Sequence, residues 1–227
     1  GTQISNSEEE GRDVLNLDDY DFANVDVALF ATPEPISKHH IPRALAQKAK
    51  VIDCSSSYVA DADVPLIIAN YNSEKIMTAT KGIIAVPSAS VIQMLTPLLK
   101  IEPKYKIKRI ITSTYTSTSV YGKEAMDELF SQTRRIYMNA PVVDEQQVFH
   151  KQIAFNVIPQ IGEFIGEETQ IEWSMNAETK KIFDTEIKVH ANAAIIPAFV
   201  GAAQYINVEC EQEVDVDESK IGRAVQQ

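Results

Sequence analysis

The chain has 227 residues, 44% of them hydrophobic and 23% charged, enough apolar content for one large core or two modest ones. Its formal net charge of −11 argues against a nucleic-acid surface, which needs clustered Lys and Arg, and gives no attraction to anionic lipid. No apolar run approaches the ~20 residues that cross a bilayer, no secretory-signal pattern opens the chain, and Cys54 and Cys210 are too far apart in sequence to make a disulfide framework or zinc site; a reducing cytoplasm is the expected location.

Gly1 to Asp21 is polar and acidic and reads as an edge segment or loop. Val25 to Ala31 is a short continuous apolar run, which predicts a strand buried on both faces of a parallel sheet. Pro33-Glu34-Pro35 then opens an amphipathic helix reaching about Ala49, and Lys50 to Cys54 forms the next strand. A short helix is expected over Ser73 to Thr80 and a strand over Gly82 to Val86. This alternation of strand and helix is the pattern of βαβ units.

After a helix over Ser90 to Lys100 the pattern changes. Ile107 to Thr116 reads as a longer strand, and Lys123 to Ile136 as a helix with Met126, Leu129 and Phe130 at core spacing. Glu167 to Phe183 reads as another helix, with Trp173 expected in a core or interface. Ile187 to Ile196 and Tyr205 to Val214 read as long strands of a mixed or antiparallel sheet. The expected fold class is α/β: βαβ units over residues 1–87, then an α+β domain over 88–227. The first residue, Gly1, and an apparently helical stretch from Asp217 to Gln227 with no stop signal suggest a fragment.

The strand-to-helix turn Pro87-Ser88-Ala89-Ser90 is a favoured place for a nucleophile, because a helix N-terminus lowers a thiol's pKa. The residue standing there is Ala89. Around it, VDVALFA, DADVPLIIANYN, KGIIAVP, TSTYTSTSVYGKEAMDELFSQTR, QIAFNVIPQI, AETKKI and IIPAFVG resemble the aspartate-semialdehyde dehydrogenase family. RIYMNAPVVDEQQVFHKQIAFNVIPQI with KGIIAVPSASV is similar to its Usg-type branch, which keeps the fold and departs at the nucleophile.

The resemblance implies a partial nucleotide-binding domain of the Rossmann type over residues 1–87, and reductive dephosphorylation of aspartyl phosphate through a thioester, with hydride from NADPH. It puts the nucleophilic cysteine at Ala89, a glutamine at Thr116, the carboxylate-gripping arginine at Ile195, the histidine base at Ala202 and a phosphate-binding arginine at Val59. Glu178 and Lys181 in AETKKI are candidate substrate-binding remnants; an ordinary helix-surface ion pair is the simpler account. The cofactor crevice is altered as well. Thr32, Pro33 and Glu34 stand where the family has a small Ser-Ala-Gly turn, and Ser119-Val120 replace the Ser-Gly of SGAGK.

Elsewhere, Cys54 in DCSSS sits at a strand end where ligands collect, although a buried thiol explains it more simply. His39 and His40 are expected on a solvated helix face, and the four histidines show no metal-ligand spacing, so no metal is expected. The favoured function is an inactive homologue that acts as a homodimer, an assembly the resemblance implies, with an unidentified protein partner also open. It requires no cofactor, although the resemblance allows NADP. The alternative is an NAD(P)-dependent oxidoreductase on an aldehyde, oxo or acyl-phosphate substrate with a non-standard site; a third reading is a metabolite sensor using the vacated pocket.

Overall fold

The computed structural model describes residues 3, 4, 12, 13, 15–140, 148–183 and 185–215. The chain divides into two compact units, Gly1–Ser88 and Ala89–Gln227. The stretch from Asp217 to Gln227, expected to be helical, lies outside the described residues.

In the first unit a short antiparallel pair, β1 (Gln3–Ile4) and β2 (Arg12–Asp13), precedes β3 (Val27–Phe30), α1 (Glu34–Ala46), β4 (Lys50–Asp53) and β5 (Ile83–Ala85). Strands β3, β4 and β5 form a parallel sheet in that order, as the alternation predicts. One face is buried: Ala28 and Phe30, Val51 and Asp53, Ile83 and Ala85, with Ile41 and Ala44 of α1 in the same core. The other face corrects the expectation of burial on both sides, since Val27 and Leu29 are 55% and 65% exposed. A continuous apolar run specifies a strand but does not supply the layer that would cover its second face. Helix α1 stops at Ala46, short of Ala49, because Lys48 turns into the left-handed region at φ 70°. A 3-10 helix covers Ser73–Thr78.

The second unit opens with α2 (Ala89–Leu98) and the short α3 (Glu102–Tyr105), then β6 (Ile107–Thr116), a 3-10 turn Thr118–Tyr121 and α4 (Lys123–Tyr137). A small hairpin, β7 (Phe164–Ile165) and β8 (Glu168–Thr169), leads into α5 (Gln170–Phe183), β9 (Lys188–Ile195) and β10 (Ala202–Cys210). The sheet order is β10-β6-β9, with β10 antiparallel and β9 parallel to β6, so the sheet is mixed. Its buried face carries Ile110, Thr112, Thr114 and Thr116 with Ala191, Ala193 and Ile195. Helix α5 packs on β9, and Thr114 donates to the Met175 sulfur at 3.6 Å. The opposite face presents exposed Arg109, Lys188, His190, Asn192, Tyr205, Asn207 and Glu209.

Two local details depart from expectation. Helix α5 begins at Gln170 rather than Glu167, because Glu168–Thr169 pairs with β7 and Glu172 Oε2 accepts the Thr169 N–H at 2.8 Å. That is the carboxylate half of a capping box, Thr169-x-x-Glu172. On α4, Phe130 is 57% exposed instead of core-facing. The buried stripe is Ala125, Glu128, Leu129 and Gln132, and its polar members are satisfied. Gln132 Oε1 accepts the N–H groups of Ile153 and Ala154 at 2.9 and 3.0 Å, while Glu128 accepts from Gln132 Nε2 and Val148 N–H. Leu129 and Ala125 complete this packing against Phe149, Ile153, Ala154, Ile158, Ala193 and Ile195.

Candidate functional site

Three of the positions singled out by the resemblance form one row across the mixed sheet. Ala202, the first residue of β10, pairs with Thr116, the last of β6, and Thr116 pairs with Ile195, the last of β9. The strands thus bring together residues 79 and 86 positions apart in sequence, at one end of the sheet. The row holds a methyl, a hydroxyl and a sec-butyl group; Thr116 and Ile195 are buried and Ala202 is exposed. None of the three side chains is a base or a cation.

Ala89 is the first residue of α2 and is exposed. Two amides that sequence inspection passed over tie this helix start to β10. Gln204 Nε2 donates to the Ser90 carbonyl at 2.9 Å and to Thr114 Oγ1 at 3.1 Å, and Gln93 Nε2 donates to the Ala202 carbonyl at 3.3 Å. Nothing in local sequence marks those glutamines, since their partners lie 90 or more residues away. On α5, Glu178 is fully buried and Lys181 is partly covered, so Glu178 is not the solvated member of a helix-surface pair. Trp173 is partly buried.

In the first unit, Val59 is buried at 5% exposure within the apolar core. The turn after β3 is closed by its own bonds. Thr32 Oγ1 and Ser37 Oγ lie 2.7 Å apart, the Ile36 and Ser37 N–H groups both donate to the Pro33 carbonyl, and Ser57 Oγ donates to the Glu34 carbonyl. Pro33 and Pro35 have no N–H, and Glu34 puts a carboxylate, paired with Lys38, in the helix's first turn. A proline ring and a paired carboxylate make this turn bulkier and more acidic than the small Ser-Ala-Gly turn of the resembled family. In the second unit, Ser119 donates its N–H to the Phe199 carbonyl at 3.0 Å, and Val120 stands 62% exposed.

Cys54 is exposed at the end of β4, and burial together with the Asp53 carboxylate raises its thiol pKa, the reverse of nucleophile activation. Asp53 itself is buried and accepts from the Ser55 and Tyr58 N–H groups. His40 corrects the expectation of a solvated histidine pair: it is 5% exposed, while His39 remains outside. The fold also groups Asp18, His39 and His40, with ligand-type atoms within 4.8 Å. Their bonding does not suit a metal ion. Arg43 Nη1 donates to His40 Nδ1 at 2.8 Å, which leaves the proton on Nε2 facing Asp18 Oδ1 at 3.4 Å, beside a fixed guanidinium. Arg43 also donates to the Leu17, Asp18 and Tyr20 carbonyls, which is why this loop sits on α1.

A parallel α/β unit followed by an α+β unit on a mixed sheet defines a two-part α/β architecture. The chain belongs to the semialdehyde dehydrogenase family: the family's dimerisation domain matches residues 95–223 and its NAD binding domain residues 1–79. The aspartate-semialdehyde dehydrogenase of Rickettsia bellii is 35% identical over 213 residues, covering 90% of this chain and 61% of the relative. That of Shewanella violacea is 37% identical over 211 residues, covering 92% and 62%. The crystal structure of aspartate semialdehyde dehydrogenase II from Vibrio cholerae, complexed with ASA, superposes with a TM-score of 0.90 at 35% identity, covering 96% of this chain and 65% of that one. The chain thus spans a little over three-fifths of the length of these relatives. Among the described residues no helix is long and apolar enough to cross a membrane.

Proposed function

We propose that this protein is a member of the aspartate-semialdehyde dehydrogenase family that has given up the reaction, belongs to the Usg-type branch, and acts in the cytoplasm as a homodimer. The observation that carries this reading is the row Ala202–Thr116–Ile195, with Ala89 at the start of α2. The positions assigned to base, amide, carboxylate clamp and nucleophile hold side chains that can neither attack an acyl phosphate nor transfer a proton at neutral pH. Loss of a single member of such a set costs on the order of 10⁴ to 10⁶ in rate. The Pro33 ring and Glu34 carboxylate, standing where the resembled family has a small turn, support a protein that does not depend on NADP.

The dimer reading rests on the open face of the mixed sheet. Arg109 and Lys188 stand side by side, with Glu209 on the other flank of Arg109; Tyr205 is 72% exposed on the same face. A face of this kind is most simply covered by a second copy in the family's dimerisation mode.

The test combines two measurements on the protein. Incubation with aspartate semialdehyde, phosphate and NADP is expected to give no NADPH absorbance, while sedimentation at micromolar concentration is expected to give a dimer. NADPH formation would overturn the loss of chemistry, and a monomer would overturn the assembly.

A further inference from the structure

We propose that a pocket beside Tyr121 binds a small organic cation with N–H donors, a guanidinium or a primary ammonium. The pocket lies wholly within the second unit and has a volume of about 210 Å³. It is formed where the 3-10 turn ending at Tyr121 meets residues 148–150 and the bend at 158–163. Phe149 and Ile195 line it as buried apolar groups, and Tyr121, His150, Gln160 and Glu163 supply the polar ones. Its size is below that of a drug-like site and matches a guanidinium or short alkylammonium ion.

The polar wall is built rather than incidental. The Gly162 N–H donates to the Tyr121 hydroxyl oxygen at 3.3 Å, and Gln160 Nε2 donates to the Gly162 carbonyl at 3.2 Å. Gly162 holds φ +79°, and a Cβ there would lie 2.8 Å from Gln170 Oε1, so the bend depends on glycine. One of the two Gln160 amide N–H bonds is committed to Gly162, and the Gln160 carbonyl oxygen is the acceptor offered to a ligand. The Glu163 carboxylate adds a full negative charge, and no Lys or Arg is among the described residues lining the pocket. Tyr121 and Phe149 meet edge to face with ring centroids 5.5 Å apart, and aromatic rings favour a cation over an anion. The chain's net charge of −11 acts in the same direction at long range. Tyr121 stands where SGAGK of the resembled family has alanine, so this wall belongs to this chain. Ile195 of the Ala202–Thr116–Ile195 row lines one wall of this pocket, so the two sites share that residue.

Titration of the full chain with methylguanidinium chloride, followed by chemical-shift changes at low millimolar concentration against matched sodium chloride, tests it. Saturable shifts at Tyr121 and Gly162 are expected, with none from sodium acetate. Glu163→Gln is expected to weaken binding about tenfold, the scale of one charge-assisted hydrogen bond. Glu163 is exposed, and an unchanged melting temperature verifies the variant's fold. Tyr121→Ala gives a second, charge-neutral lesion and is also expected to weaken binding. Absence of saturable shifts, equal affinity in Glu163→Gln, or saturable binding of acetate would overturn the assignment.

Discussion

Ala202 and Thr116 are paired residues at the end of the β10–β6 ladder, and the Ala202 carbonyl also receives the side chain of Gln93, one turn into α2. The start of that helix and the sheet end are thus held together by amide hydrogen bonds rather than by catalytic groups. Geometry and chemistry can be separated experimentally here.

Ala89→Cys should yield a reactive thiol without yielding an enzyme. At the first position of α2 the helix N-terminus favours thiolate, whereas Cys54 and Cys210 have their thiol pKa values raised by burial. The introduced cysteine should be modified by a disulfide reagent faster than either native one, while NADP-dependent turnover stays at background. Turnover from this substitution alone would show that another residue serves as the base.

Gln132→Ala should be among the more destabilising polar truncations. It orphans the buried Ile153 and Ala154 N–H groups and removes a partner of Glu128. A loss of about 2–4 kcal/mol is expected in urea unfolding. Phe130→Ser, two residues away on the exposed side, should stay within about 0.5 kcal/mol of the parent.

Gly162→Ala and Gly166→Ala form a matched pair. Both glycines have positive φ, 79° and 66°, but a Cβ at Gly162 meets Gln170 at 2.8 Å whereas one at Gly166 meets nothing within 4 Å. Replacement at Gly166 should cost about 1 kcal/mol, the strain alone, and at Gly162 measurably more. Equal melting temperatures for the two variants would contradict the close approach.

His40 sets a pH dependence on the acid side. Burial, then the neighbouring His39 and Arg43, lower its pKa from the ordinary value of 6.5, against a smaller opposing pull from Asp18. Below about pH 6.5 the unfolded chain therefore binds a proton that the folded chain refuses, so this residue's contribution to stability falls as pH falls. His40→Gln should flatten the decline in melting temperature between pH 7 and pH 5. An unchanged slope would show that His40 does not govern it.

The limits of β6, Ile107–Thr116, are legible from sequence because a long β-branched run with a clear end specifies a strand wherever it packs. The parallel order of the first sheet is legible for a similar reason, from strand and helix alternating at short intervals. What remained hidden depends on distant partners. The exposure of Val27 and Leu29 is set by what lies over the strand, and Phe130 loses the core to Gln132 because residues 148–154 bring backbone donors to that side of α4. His40 is buried by a loop that Arg43 draws onto the helix. Alignment of Ala202, Thr116 and Ile195 needed the strand register, which residue types alone do not reveal.

Strand β10 is an outer member of its sheet, nine residues long, with no proline and with its register broken only between Glu209 and Cys210. Such an edge is a template for uncontrolled pairing unless charge or irregularity blunts it. The acidic residues at its end, Glu209, Glu211 and Glu213, supply that charge. Near the sequence isoelectric point of about 4.8 that electrostatic guard weakens. Association of this chain in mild acid is thereby linked to a ladder that, among the described residues, has no strand on its outer side.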